Sequence, residues 1–204
     1  PQYRISSFLF LSHEAMLAAG IETTLAVAVT TYLALGVDRL LPFCSTLARI
    51  DNTRETISNM FNRQALGMIW DYAELNPLGD TTGGWVSAVG WIARVIEHLT
   101  ACLGATQASG IVLQGSATQV SYPDGYFDAV FTDPPYYDNV PYSYLSDFFY
   151  VWLKRAVGHL HPDLFSTPLT PKTHEIVVYA GREGGTEAGQ RFFEERLKSA
   201  FQEV

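Results

Sequence analysis

Positive charge is the scarcest feature of this sequence. Only 17% of its 204 residues are charged, and 13 Lys and Arg stand against 21 Asp and Glu, for a net charge of -8. Phosphate contacts need cations, and the affinity they bring scales with the counterions released. A broad basic surface for nucleic acid is therefore excluded, and any such contact must be local or lie outside this sequence. There are two cysteines, Cys44 and Cys102. Two are too few for a disulfide framework, and their spacing fits no metal-ligand pattern. Both lie in apolar helical contexts and are expected as buried, reduced thiols. No internal repeat and no low-complexity tract occurs. A signal-peptide pattern is also missing, and the sequence reads as cytoplasmic with no membrane partner. The most apolar stretch near the start, Met16 to Val37, is interrupted by Gly20, Glu22, Gly36 and four threonines. It falls short of the roughly 20 residues a span needs and reads as a core helix of a soluble protein.

What is present describes a packed globular chain, with 48% hydrophobic residues. It opens on Pro1-Gln-Tyr-Arg without a methionine, so an internal piece of a longer protein is expected. A helical pattern runs from about Ser12 to Leu41, and Pro42 stops it. Asp51-Asn52-Thr53 predicts a second helix start, with capping-box spacing from Asn52 to Glu55 and an apolar stripe through Ile57, Phe61, Met68, Ile69 and Tyr72. Asn76 to Gly84 reads as a loop. Trp85 to Leu103 repeats apolar residues at three and four positions, giving one helical face. The first half, residues 1–105, is thus a helical region.

After residue 105 the pattern changes. Ile111 to Gln114 predicts a short strand, and Gly115-Ser116-Ala117 turns away from it. Phe127-Asp-Ala-Val-Phe-Thr-Asp-Pro-Pro-Tyr136 predicts a buried strand leaving the sheet at Asp133, because two prolines lack amide hydrogens and hold the chain stiff. This would set a carboxylate, a proline carbonyl and an aromatic ring at the carboxyl end of a strand, where open α/β sheets bind ligands. A helix over Pro141 to Arg155, a proline-rich loop over His159 to Lys172, a strand or loop over Glu175 to Ala180, and a helix over Gln190 to Val204 complete the chain. His159 and His161 lack a partner at ligand spacing, so no metal is expected.

Asp133-Pro134-Pro135-Tyr136 after an apolar strand resembles the signature of amino-group methyltransferases that use S-adenosyl-L-methionine. The longer run from Thr132 to Leu153 is similar to a family of large prokaryotic adenine-specific DNA methylases, some associated with phage defence. The resemblance runs from about Leu33 to the end. It implies an α/β fold for residues 106–204: a partial Rossmann-like sheet, its glycine-rich cofactor motif lying upstream. It implies methyl transfer to adenine N6 of DNA, with DNA bound through the full-length protein. Asp133, Pro134, Pro135 and Tyr136 would be catalytic, Gly115, Ser116 and Asp133 would meet the cofactor, and Tyr136, Asn139 and Tyr142 would meet the target base. Lys154, Arg155, Lys172 and Arg182 are the basic residues expected near the mouth of such a site, with solvated surface as their default role.

The chemistry suits those residue types. An exocyclic amino nitrogen is a poor nucleophile because its lone pair is delocalised. A carboxylate and a carbonyl accepting its two N–H groups free that lone pair for in-line attack on the sulfonium methyl, and the contribution is mainly positioning. The base must first leave the duplex, and Tyr136 offers a stacking face. Ser116 stands where such folds often carry an acidic residue at the cofactor adenine. It could bond the adenine amino group or belong to a plain turn. Asn76 to Gly84 faintly resembles a cofactor loop, but the segment before it reads as helix; a loop leading into a helix fits better. Cytosine N4, an RNA base, or a catalytically inert helical interaction module are the alternatives.

Overall fold

The computed structural model describes residues 2–58, 60–61, 66–79, 81–104, 110–138 and 140–204. The described residues are mixed helical with a two-stranded sheet. The chain divides into two compact units. One comprises residues 1–108 and 145–170, the other residues 109–144 and 171–204. The expected change of character between residues 105 and 106 lies outside the described residues.

In the first unit the single helix expected from Ser12 to Leu41 is two helices, α1 (Gln2–Ala18) and α2 (Thr23–Leu40). Gly20 is the reason. It takes φ 78°, the left-handed conformation that glycine adopts at no steric cost. Its amide bonds the Leu17 carbonyl at 3.0 Å, and the Ile21 amide bonds that of Met16 at 3.0 Å. These two bonds are the Schellman closure of a helix end. Glu22 then starts α2, its carboxylate accepting from the Thr24 amide at 3.2 Å, and the hydrogen bonds from Thr24 hold that carboxyl below its ordinary range. A buried bond of 3.1 Å between His13 and Thr30 ties α1 to α2. Small residues on α2, Ala26, Thr30 and Ala34, are fully or almost fully buried.

The core of this unit gathers Leu9, Ala34, Val37, Leu41, Ala156 and Val157, with Trp85, Phe148 and Trp152 packed against it. Ala156 and Val157 come from α4 (Tyr142–Val157), whose residues from Leu145 onward belong here. Its predicted helical extent holds within two residues. The following loop is fastened by Thr31 to His161 at 2.9 Å and by the Tyr150 hydroxyl donating to the Thr167 carbonyl at 2.6 Å.

The helix expected from Asp51 is absent among the described residues, and residues 59 and 62–65 of its span lie outside them. Instead β1 (Arg49–Asp51) and β2 (Thr56–Ser58) pair antiparallel, Ile50 opposite Ile57. The Asp51 carboxylate accepts from the Thr53 and Arg54 amides at 3.0 and 3.2 Å. Those bonds would serve a helix cap equally well, and here they close a hairpin turn, with Glu55 at φ 52°. Residues 66–79 run without helix, and Met68 and Trp70 are exposed. The loop before α3 (Trp85–Gly104) is as expected. Its amides turn inward: Leu78 to Asn76 Oδ1, Gly79 to the Asn76 carbonyl, Gly84 to Thr81, and Trp85 to Pro77 at 2.8 Å. Gly83 lies so close to the Phe43 ring that a Cβ there would stand 2.8 Å from it.

α3 packs on α2, where Gly36 faces Ile92 and Trp85. The rest of it is open. Among its described residues Ala88 is buried, and Val86, Trp91, Val95, Leu99 and Leu103 are exposed. By length and composition it could cross a membrane, and 6% of its apolar window is buried. Both cysteines are free and exposed, which corrects the expectation of buried thiols. Cys102 sits on this open helix. The Cys44 thiol is still pushed up by partial burial, which lowers its reactivity.

In the second unit neither expected strand forms. Ile111 to Gln114 and Phe127 to Asp133 form no strand and pair with none among the described residues. Val112 is 96% exposed and Phe131 is 95% exposed. A strand gains its stability from the ladder and from cross-strand side chains, and the described residues offer these two segments no partner. A Rossmann-like sheet is therefore not seen. What orders this unit is α5 (Ala180–Glu183) and α6 (Thr186–Glu203). Phe193 and Ala200 of α6 are buried, while Phe201 and Val204 are exposed. Gly189 allows α6 to approach Val178 and Tyr179 closely.

Candidate functional site

The catalytic, cofactor and base-binding residues singled out from the sequence fall in the second unit, Asn139 excepted, which lies outside the described residues, while Lys154 and Arg155 fall in the first. Asp133 and Pro134 are exposed, and Pro135 is half-buried. Tyr136 is 58% exposed. The Asp133 carboxylate has no hydrogen bond and the Tyr136 ring no aromatic neighbour among the described residues. An acceptor and a ring face are thus both open to a ligand, and neither is spent on the fold. They stand on a segment outside any helix or strand, not at the end of a paired strand.

Ser116 is spent. Its hydroxyl accepts from the Thr118 amide at 3.3 Å and meets the Thr118 hydroxyl at 2.9 Å, and its backbone bridges Gln119. This is a hydroxyl-closed turn, one of the two readings open for it. Gly115 beside it has open space around its Cα. Among the described residues no hydrogen bond joins Gly115 or Ser116 to Asp133 or Tyr136.

The chain after the signature is held far more firmly. Tyr137 has φ 45°. Its ring meets Phe193 edge-on at 4.9 Å, and its hydroxyl donates to Glu194 at 3.4 Å. Partial burial, then the charge of Glu194, pushes the Tyr137 phenol up. Tyr142 opens α4 and is exposed. The next residue, Ser143, is buried and bonds Glu175, its amide at 2.8 Å and its hydroxyl to the other carboxylate oxygen. A carboxylate at the first turn of a helix satisfies orphan amides and opposes the positive end of the dipole. Arg182 fixes Glu175 in turn. It donates to the Glu175 and Lys172 carbonyls and pairs with Glu183 at 2.6 Å.

Sequence reasoning missed Tyr137, Glu175 and Glu194 as supports, and it gave Arg182 solvated surface as its default role. Arg182 is engaged inside the fold instead, and Lys154 donates to the Thr167 carbonyl at 2.6 Å. Arg155 lies with His159, Ser7 and Phe10 along a shallow cleft of about 430 Å3 in the first unit. Compared with known proteins, the chain matches no family model, no curated protein and no solved structure.

Proposed function

We propose that this chain carries the target-base end of an S-adenosyl-L-methionine-dependent methyltransferase acting on adenine N6 of DNA. The observation that carries the reading is the Asp133-Pro-Pro-Tyr136 segment, whose carboxylate and ring are open while the residues just after it are anchored. In this reading Asp133 and the Pro134 carbonyl accept the amino hydrogens of an extruded adenine, and Tyr136 stacks on it. The two apolar segments at Ile111 and Phe127 become central strands of a Rossmann-like sheet once further strands pair with them. Enzyme class, cofactor, DNA and cytoplasmic setting all belong to this proposal. The test is transfer of a radiolabelled methyl group from the cofactor to adenine in DNA by the full natural polypeptide.

A helical interaction module is the second reading. It is favoured by the open apolar face of α3, which suits a partner better than water. Cofactor binding separates the two. Residues 1–204 alone are expected to bind S-adenosyl-L-methionine weakly or not at all, because the Leu78, Gly79 and Gly84 amides of the Asn76 to Gly84 loop are turned inward and residues 66–76, which lead into it, form no strand. Calorimetry showing micromolar affinity would contradict this and make that loop a cofactor site.

Duplex binding by residues 1–204 is also expected to be poor. The net charge is -8, and Lys154 and Arg182 are engaged internally. An electrophoretic shift at about 150 mM salt, near physiological ionic strength, should show no sequence-dependent complex. A tight complex under those conditions would show that a basic face forms despite the overall charge.

A further inference from the structure

The signature segment cannot hold itself in place. Pro134 and Pro135 have no amide hydrogen to give, and Asp133 and Tyr136 make no hydrogen bond among the described residues. The first residue after it that is fastened is Tyr137, and it is fastened four times. Its amide donates to the Pro135 carbonyl at 3.2 Å, and its carbonyl accepts from the Val178 amide at 3.1 Å. Its ring edge meets the buried Phe193 at 4.9 Å. Its hydroxyl reaches Glu194 at 3.4 Å. Two stretches distant in sequence, around residues 178 and 193, thus converge on one side chain and its backbone.

The backbone adds a second point. At φ 45° Tyr137 occupies the left-handed region, uncommon for a bulky residue and best suited to glycine. Such conformations persist where the surroundings over-determine them, and they cluster at functional sites. Glycine would take this turn more easily but would supply no anchor. The tyrosine ring holds the turn to α6.

We propose that Tyr137 is the positioning residue of the Asp133–Tyr136 segment, setting by its tether to Val178, Phe193 and Glu194 where the acceptor carboxylate and the stacking ring stand. This rests on the methyltransferase reading. Tyr137 touches neither base nor cofactor in it and acts through its neighbours. The ring contact is the main tether and the hydroxyl the lesser one, so Tyr137→Phe should keep what Tyr137→Leu and Tyr137→Gly lose. The glycine variant accepts the turn without strain and so separates lost anchoring from failure to fold.

Two measurements on the same proteins test it. In hydrogen exchange, the hydrogen-bonded amides of residue 137 and of Val178 should open about tenfold faster in Tyr137→Gly and Tyr137→Leu, with α4 and α6 unchanged, since a local tether controls local opening. In methyl transfer by the full natural polypeptide, kcat should fall by about 10- to 100-fold in those variants, the scale of a misplaced reacting group. Tyr137→Phe should restore kcat. Unchanged exchange in the glycine variant would overturn the tether. Faster exchange with unaltered kcat would overturn its positioning role. A wild-type protein that transfers no methyl group would sink the functional reading and the positioning role with it, while the exchange result still decides the tether.

Discussion

Asp133→Ala in the full natural polypeptide is expected to lower methyl transfer to adenine by about 10²- to 10³-fold, the cost of removing one preorganised electrostatic partner from a reacting centre. Stability should hardly move. Asp133 is exposed and makes no hydrogen bond among the described residues, and surface substitutions away from such features usually change stability by less than about 0.5 kcal/mol. Asp133→Asn should fall between, because an amide oxygen still accepts a hydrogen bond but carries no charge. Radiolabelled methyl transfer and a thermal melt on the same preparation check both halves. Near wild-type methylation by Asp133→Ala removes the carboxylate from the mechanism. A large loss of melting temperature would mean that it is a structural group.

The fold was legible where the signal was local. α3, α4 and α6 carry apolar residues at helical spacing and appear close to their expected limits. The break between α1 and α2 was also written locally, in Gly20 and in Glu22 followed by two threonines, but a strongly apolar run masked it. Asp51 shows a real ambiguity. A carboxylate bonding two following amides begins a helix or closes a turn, and what decides is the pairing of Ile50 with Ile57.

The segments at Ile111 and Phe127 fail for a different reason. β-branched and aromatic residues say that a segment fits a pleated, half-buried surface, and they do not provide the neighbour. Both segments have the composition of buried strands and neither has a described partner strand. The candidate site divides in the same way. Asp133 to Tyr136 could be read from sequence because prolines and a carboxylate are diagnostic locally. Its supports could not. Glu175 lies 32 residues beyond Ser143, and Glu194 lies 57 residues beyond Tyr137. Val178 and Phe193 likewise reach Tyr137 only by tertiary contact, which no local spacing rule describes.

Asp38→Asn is expected to stabilise the first unit above neutral pH and to flatten its pH dependence. Asp38 lies on the buried side of α2, 8% exposed, and its Oδ1 has no hydrogen-bond partner among the described residues. Burial raises its pKa from 3.8 to about 7, because a desolvated carboxylate disfavours its charged form. Between these values the unfolded chain has released the proton and the folded chain still holds it. The native state then binds more protons than the unfolded one, so stability falls as pH rises. The contribution is complete below pH 3.8 and is lost as pH passes through about 7. At about 1.36 kcal/mol per pKa unit, the change across that window is on the order of a few kcal/mol. Asparagine has nearly the same shape and never ionises. Wild type and variant should melt alike near pH 4, and the variant should melt roughly 10 °C higher at pH 8, given about 2–4 °C per kcal/mol for a chain of this size. Parallel melting curves across the window would mean that the carboxylate finds water or a cation when it ionises, and that α2 opens enough to let it.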